Sequence, residues 1–515
     1  MIAILLGFLF PTAVADTVQV QLEVSNGEFQ LIDAVLSPSF FTQTQELNNH
    51  ELGTLRAVAE DGTTLATAPL YDPRPRSIIN TNTGGESIRL IQAGLRIQLE
   101  WPEGATRVQL NTNSIIPRQR MQMSDDTDLV AVNLSGDANE RLNMVFLGDG
   151  YTDIELPQFA SDVDRIANYM FSSIEPYGTY ETAFNIWRID RASNESGVSH
   201  TEYEPHTVRD TVYGCFYGCA GIDRLICCDD GDVINEVNSL LPEADGIMVL
   251  INDPTYGGSG GFTYATSFTA GTSGEMVASH ELGHSLIGLW DEYDYGIDGG
   301  GGGGPNCSNN EGGEGWAHWL EESDVDAFAT CSYRDLYRPT QNGCMMNSLQ
   351  GNYCPICIEE TVRTIYRHLP SLIGTVSEPE GVLIVESDGL ELSANPALPS
   401  IESLSWDWTL DDVQIGIEPT IRLEPCGQSG TLVLTLSDET IYVRDDPYDL
   451  LSDHLTWEIE RPVCIPTDDT GAGDTVDSGR FMDENRCGCT SRNAFAAFVL
   501  FLPLSLRRRN HSGSR

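Results

Sequence analysis

The chain has 515 residues, enough for roughly three domains of about 150 residues each and for a sizeable core. It carries 28 basic against 77 acidic residues, a net charge of -49, which argues against binding nucleic acid or an anionic membrane through a basic face. With 40% apolar residues and 18 Tyr, 17 Phe and 8 Trp, the bulk is expected to fold rather than to persist as an acidic disordered chain.

Residues 1–15, MIAILLGFLFPTAVA, form a short apolar run closing on Ala13-Val14-Ala15, the small-x-small pattern of a signal peptide cut before Asp16. Export is therefore expected. Residues 16–130 read as a β-rich N-terminal domain, because Val18, Val20, Leu22 and Val24 alternate with polar residues, as do Leu95, Ile97, Leu99 and Trp101. The pattern then changes to α/β. Met144 to Leu147 is a short buried strand ending in Gly148-Asp149-Gly150, and Phe159, Val163, Ile166 and Met170 form the apolar stripe of a helix. Further strands are expected at Ile186–Ile189 and Ile247–Ile251, followed by the glycine-rich stretch from Tyr256 to Gly261. That order predicts a mixed sheet with helices packed on it.

The most informative stretch runs from Glu275 to Tyr293. On a helix His280 and His284 lie one turn apart on one face and can aim their imidazoles at one metal ion. Glu281 sits beside that ion, where such sites keep the base that takes a proton from water. Leu282, Leu286 and Leu289 occupy another face and pack against the sheet. Gly288 is placed to leave the helix in a left-handed turn and present Asp291 as third ligand, with Glu292 as the alternative. Metzincin peptidases use the same device, although here the glycine lies one residue further from the first histidine than in that pattern. Two imidazoles, one carboxylate and one open position suit a catalytic zinc rather than a closed structural site.

HELGHSLIGLWDEYD at 280–294 resembles the zinc signature of the bacterial immunoglobulin A peptidase family, metallopeptidase family sixty-four, whose members read much like HEFGHSFxGLxDEY. VFLGDGYT at 145–152, FNIWRIDRASNESGV at 184–198, YGGSGG at 256–261 and CMMNSLQGNYCPIC at 344–357 are also similar to that family, in the same order. The resemblance implies zinc bound by His280, His284 and Asp291, Glu281 as general base, and a methionine turn at Met346, with Met345 as its alternative. The Gly299–Gly304 run and the Cys227-Cys228 pair read as insertions near the cleft.

Weaker candidates surround this core. His200, His206 and His318 are candidates for substrate binding or a second metal, against the commoner role of surface or hydrogen-bonded histidines. Tyr293 and Tyr353 are candidates for stabilising an oxyanion. Asp149 and the acidic loop Asp291–Asp298 are candidates for a structural calcium ion, against turn and rim roles, because neither has the alternating-ligand spacing of a calcium loop.

Thirteen cysteines suit an oxidising compartment. Cys426 and Cys464 are the expected pair of a C-terminal module, while the connectivity of Cys215, Cys219, Cys227, Cys228, Cys307, Cys331, Cys344, Cys354 and Cys357 stays open. Cys354-Pro355-Ile356-Cys357 has redox-motif spacing, and a structural role is preferred because no thioredoxin-like βαβ pattern surrounds it.

Strand patterns return after the central region. Trp406, Trp408 and Leu410, then Leu432, Leu434 and Leu436, then Trp457 and Ile459 predict an immunoglobulin-like β-sandwich over 373–465. Residues 466–486 read as an acidic disordered linker. In 487–515, Cys487 and Cys489, the apolar segment Ala494–Leu506 and Arg507-Arg508-Arg509 resemble a MYXO-CTERM sorting tail. That resemblance implies processing at the cysteines and retention at the cell surface, with a simple tail anchor as the alternative.

The expected architecture is multidomain: a metzincin-like α/β zinc peptidase domain over 131–372, flanked by the β-rich N-terminal domain and the C-terminal β-sandwich. The expected function is an exported zinc endopeptidase acting on extracellular protein. It is expected to be a monomer, with no nucleic-acid partner, and to meet a membrane or cell surface only through the tail. The alternative is a surface adhesin or binding protein on a peptidase scaffold.

Overall fold

Alternating side chains sort to the two faces of a strand, and the first sheet buries both faces of its central strand. Strands β1 (Thr17–Ser25), β2 (Glu28–Ser37) and β7 (Gln92–Glu100) form a three-stranded sheet. A four-stranded sheet holds β3 (Gly53–Ala59), β4 (Thr64–Leu70), β8 (Ala105–Leu110) and β9 (Asn113–Ile115). Val18, Val20, Leu22, Leu95, Ile97 and Leu99 of the first share a core with Leu55, Ala57, Val108 and Leu110 of the second. The polar alternates Gln19, Gln21, Arg96 and Gln98 are buried as well.

Helix α2 covers those of β7. It spans Asp230–Leu240 and lies on the outer face of β7. Arg96 Nε donates to Asn238 Oδ1 at 2.7 Å, and its guanidinium reaches the carbonyls of Pro242 and Ala244. Burial lowers the Arg96 pKa to about 10, against the opposing pull of Asp245 and Glu243. Gly94 lets the two elements meet, since a Cβ there would stand 2.7 Å from both Asp230 Cβ and Ile234 Cδ1.

The computed structural model describes residues 17–25, 27–37, 52–78, 86–117, 128–298, 303–349 and 351–461. The expected signal peptide, most of the Gly299–Gly304 run, Cys464, the acidic linker and the sorting tail with Cys487 and Cys489 lie outside them. Among the described residues no helix is long and apolar enough to cross a membrane.

An eight-stranded mixed sheet carries the centre of the protein. It adds β5 (Pro75–Ile78), β6 (Glu86–Arg89), β10 (Leu129–Asn133), β11 (Leu142–Asp149), β12 (Phe184–Ile189), β16 (Ala244–Ile251), β17 (Gly258–Gly260) and β18 (Ala265–Phe268), in the order β10-β12-β11-β16-β18-β17-β5-β6. Strands β12, β11, β16 and β18 run parallel. Every residue of β11 is buried, as expected where both faces of a parallel sheet are covered. The hairpin β5–β6, from the N-terminal region, joins the sheet through Gly260 opposite Ser77.

Helix α1 (Leu156–Ser173) buries Phe159, Val163, Ile166 and Met170, the stripe read from the sequence. A capping box precedes it, in which the Thr152 backbone N–H donates to Glu155 Oε2 at 2.9 Å. Two small sheets lie outside the main one. The first, β13 (Ser199–His200), β14 (Phe216–Tyr217) and β15 (Ile226–Cys227), is stapled by the disulfides Cys215–Cys228 and Cys219–Cys227. The second comprises β19 (Gly303–Gly304), β20 (Cys307–Ser308), β21 (Val325–Cys331) and β22 (Tyr333–Thr340), with the disulfide Cys307–Cys331.

By its contacts the chain forms two units. The first comprises the described residues within Met1–Val376, Ala394–Trp406 and Thr435–His454, and the second those within Ser377–Ser393, Asp407–Leu434 and Leu455–Arg515. In the first, Tyr180 and Tyr366 both donate to Asp438 Oδ2 at 2.6 Å, which ties residue 438 to the body of the centre. In the second, Trp408 and Trp457 stack with ring centroids 5.7 Å apart. Gly381 to Ile384 pair there with Trp457 to Glu460 in parallel, so the strands are not all antiparallel.

Asp149, at the end of β11, accepts the buried backbone N–H groups of Tyr213 at 2.8 Å and Cys215 at 3.0 Å. Both carboxylate oxygens thus hold the disulfide-bearing loop, a structural role. Asp149→Ala is expected to cost about 1–3 kcal/mol for each amide left unpaired. Chemical denaturation followed by far-UV circular dichroism checks this, and unchanged stability would show that the loop is held by other contacts.

Candidate metal centre

Helix α3 (Gly271–Leu282) brings the histidine motif under the sheet. Residues Val277 to Leu282 are all buried, so the helix is enclosed rather than laid on a surface. Its N-terminal half is tied to α1 by Arg165, which pairs with Glu275 at 2.8 Å and Asp162 at 2.9 Å. At Gly274 a Cβ would stand 2.7 Å from the Phe268 carbonyl, so the helix can start this close to β18 only with glycine.

After Leu282 the helix widens into one π turn, Gly283–Ile287, and ends at Gly288 with φ of 79°. The left-handed exit expected of Gly288 is therefore present. A π turn holds one residue more than an α turn, and this is how the extra residue between His280 and Gly288 is absorbed. Leu286 and Ile287 stay buried on the sheet side of the turn.

The two imidazoles are oriented by backbone carbonyls. His280 Nδ1 donates to the Met345 carbonyl at 3.0 Å and His284 Nδ1 to the Leu289 carbonyl at 2.7 Å. Each Nε2 thus points toward the other ring and is the nitrogen open to a metal ion, which would take the place of any proton there. The two Nε2 atoms are 3.3 Å apart and the rings are nearly perpendicular, at 88°. Asp291 Oδ1 lies 3.1 Å from His280 Nε2 and 3.3 Å from His284 Nε2, while Oδ2 accepts the Tyr295 hydroxyl at 2.6 Å.

The loop after Gly288 is pinned on both sides. Asn306 Oδ1 accepts the Trp290 N–H at 2.8 Å and its Nδ2 donates to the Trp290 carbonyl at 2.8 Å. Ser332 Oγ donates to the Asp291 carbonyl at 2.7 Å, and the Glu292 N–H donates to the Met346 carbonyl at 2.8 Å. Consecutive side chains on an extended segment point to opposite sides. Asp291 accordingly faces the histidines, and Glu292 faces Cys344, Cys354 and Cys357.

Glu281 is fully buried and neither carboxylate oxygen has a hydrogen-bond partner. Burial pushes its pKa up to about 7, partly offset by His280 and His284. Burial would lower the His284 pKa, but Asp291 and Glu281 raise it to about 9. Asp291 Oδ1 and the Tyr293 hydroxyl are also buried without a hydrogen-bond partner. Such orphaned groups are costly unless something polar stands among them.

The donor set fits a metal ion. Tetrahedral bonds of about 2.0–2.1 Å place their ligand atoms about 3.3–3.4 Å apart. The three edges between the Nε2 atoms and Asp291 Oδ1 measure 3.1–3.3 Å. His280, Glu281 and His284 form one of two buried groups among the described residues able to hold an ion.

Met345 and Met346 are both buried. Met346 lies beneath Gly283, where a Cβ would stand 2.9 Å from its sulfur, and Met345 supplies the carbonyl for His280. Tyr353 donates to the Ser279 carbonyl at 3.0 Å and packs on the same glycine, so its hydroxyl is occupied structurally. The other histidine candidates each have a carboxylate neighbour: His200 lies between Glu202 at 2.6 Å and Asp253 at 3.0 Å, His318 bonds Glu359 at 2.7 Å, and exposed His206 lies 3.3 Å from Glu204. In the acidic loop, Asp294 Oδ1 accepts the Gly296 N–H at 2.6 Å, and Oδ2 lies 3.5 Å from Arg334 Nε.

Residues 130–301 match the sequence model of the family described as IgA Peptidase M64. That match covers the parallel strands, α1 to α3 and the Asp291 loop, and it implies a peptidase, hence a hydrolase acting on protein. No curated protein matches the chain. Among solved structures, a quinonprotein alcohol dehydrogenase-like protein from Bacteroides thetaiotaomicron VPI-5482 is 16% identical with a TM-score of 0.13. The alignment covers 16% of this chain and 18% of that one, and at this score it bears on neither fold nor function.

Sequence reasoning missed Asn306, Tyr295 and the Met345 carbonyl, none of which belongs to a motif of fixed spacing. It also left Gly260 without a reason. A Cβ on Gly260 would stand 2.6 Å from His284 Cδ2 and 2.8 Å from Glu281 Oε2. Gly260→Ala is therefore expected to cost about 1–3 kcal/mol by overpacking. Denaturant unfolding measures the loss, and an unchanged midpoint would show that His284 and Glu281 move aside freely.

Proposed function

We propose that the protein is an exported, zinc-dependent endopeptidase of metzincin-like architecture that hydrolyses extracellular proteins. The observation that carries this reading is the buried triangle of His280 Nε2, His284 Nε2 and Asp291 Oδ1, with Glu281 beside it. These three residues would hold the ion. When bound, zinc supplies Lewis acidity toward a peptide carbonyl and toward water.

The chain's own residues supply the remaining steps. Glu281 is buried with no hydrogen-bond partner, and burial raises its pKa, so its carboxylate is basic enough to accept a proton and its acid form can return one. It takes the proton of the attacking water and delivers it to the leaving nitrogen. The carbonyls of Met345 and Leu289 hold the two imidazoles in the tautomer that keeps Nε2 free. The buried Tyr293 hydroxyl, in the field of Asp291 and Glu281, is the phenol we assign to an oxyanion. Tyr353 is not, because its hydroxyl is spent on Ser279.

Export is supported by the Cys215–Cys228, Cys219–Cys227 and Cys307–Cys331 disulfides, which persist in oxidising compartments. We place the protein at the cell surface or outer membrane, or secreted after processing of its C-terminal tail, as a monomer. The rival reading, an adhesin on a peptidase scaffold, has no observation in its favour: such a protein has no use for a buried carboxylate without a partner beside two aligned imidazoles.

Two substitutions test the site. Glu281→Gln keeps size and removes the proton acceptor, so casein hydrolysis should fall by about two or more orders of magnitude while zinc affinity at the histidine site persists. Hydrolysis close to wild type in that variant would sink the mechanism. Asp291→Ala should weaken zinc at the same site by about tenfold or more, judged against losses typical even of outer partners. Competition with a chelator of known affinity measures this, and unaltered affinity would remove Asp291 from the ligand set.

A further inference from the structure

We propose that Cys344, Cys354, Cys357 and Glu292 form a second, structural zinc site that clamps the loops of the histidine centre. The four side chains offer ligand atoms all within 4.8 Å of one another, and all are buried. They arrive from three places in the fold. Glu292 follows Asp291, Cys344 precedes the Met345-Met346 pair, and Cys354 and Cys357 open helix α4 (Pro355–His368).

The spacings are those of a tetrahedron around zinc. Zinc–sulfur bonds of about 2.3 Å set sulfur atoms about 3.8 Å apart, and a carboxylate oxygen at about 2.0–2.2 Å lies about 3.6 Å from each sulfur. Cys344 Sγ is 3.7 Å and Cys354 Sγ 3.5 Å from Cys357 Sγ. Glu292 Oε1 is 3.6 Å from Cys354 Sγ and 3.4 Å from Cys357 Sγ. Asn306 Nδ2 donates to the same Oε1 at 3.1 Å, and Thr340 Oγ1 reaches Oε2 at 3.4 Å, partners that hold a ligating carboxylate in place.

The competing uses of these thiols account for less. Three sulfurs cannot all pair, so a disulfide between any two would leave the third thiol and a carboxylate buried together. A dithiol redox centre needs an attacking sulfur that a partner can reach. Here Cys354 is 5% and Cys357 0% exposed. Three thiolates and one carboxylate, with no position open to solvent, match the closed sites that zinc occupies for structure. The consequence is mechanical. One ion would join the loop that presents Asp291 to the segment that supplies the Met345 carbonyl and to the start of α4.

The test uses full-length protein purified without chelator. The zinc X-ray absorption spectrum should contain a sulfur shell at about 2.3 Å, which the histidine centre, having no sulfur ligand, cannot produce. Cys344, Cys354 and Cys357 should resist alkylation in the native protein and become modified, each as a free thiol, after chelation in denaturant. A His280→Ala/His284→Ala variant should keep about one zinc per chain with that shell. Glu292→Gln should weaken this zinc by about tenfold or more. Failure of the peptidase reading would leave these results untouched. A spectrum without sulfur neighbours, or a peptide map with a disulfide between any two of the three cysteines, would overturn the proposal.

Discussion

The left-handed turn at Gly288 governs the centre of this protein. Helix α3 runs into the interior with its histidines enclosed, and a buried helix end must release the chain without stranding its carbonyls. The π turn and Gly288 do this together: the Gly288 N–H returns to the His284 carbonyl and the Leu289 N–H to the Gly283 carbonyl. The reversed chain then passes the imidazoles, and its alternation sends Asp291 to one side and Glu292 to the other. A side chain at position 288 would oppose this φ, so the two carboxylates depend on one residue that has none.

Burial then gives those carboxylates different characters. Asp438 and Asp149 are also buried, but hydroxyl and backbone donors occupy their oxygens, and they act as fasteners. Glu281 has no donor on either oxygen. Burial raises its pKa toward neutrality, and His280 and His284 offset only part of that shift. The orphaned atoms of Glu281, Asp291 and Tyr293 lie around the histidine pair, and this concentration sets the site apart from a stabilising polar network.

The surrounding fold supplies rigidity rather than chemistry. The N-terminal sheet covers α2 through Arg96 and Gly94, and the hairpin β5–β6 extends the central sheet beyond β17. Strand β17 carries Gly260 past His284 with no room for a methyl group. Asn306 and Ser332, flanking the Cys307–Cys331 disulfide, hold the Asp291 loop from its far side. Imidazole positions set to a few tenths of an ångström need such support, because a loop alone does not hold them.

Periodicity and residue chemistry by themselves determined the local features. The strands at β11, β12 and β16, the buried stripe of α1, the histidine pair one turn apart and the glycine exit were all legible, because each is a short-range pattern with one physical meaning. Helix α2 and strand β18 were not, since their short apolar patterns take on meaning only beside the sheet they cover. The choice between Asp291 and Glu292 was equally open in one dimension, because adjacent carboxylates differ only in the side to which the chain turns them. The disulfide partners and the convergence of Cys344, Cys354 and Cys357 on Glu292 were also decided only in three dimensions. Spacing along a chain limits which groups can be neighbours within a turn, and packing alone brings residues 292, 344 and 357 to one point.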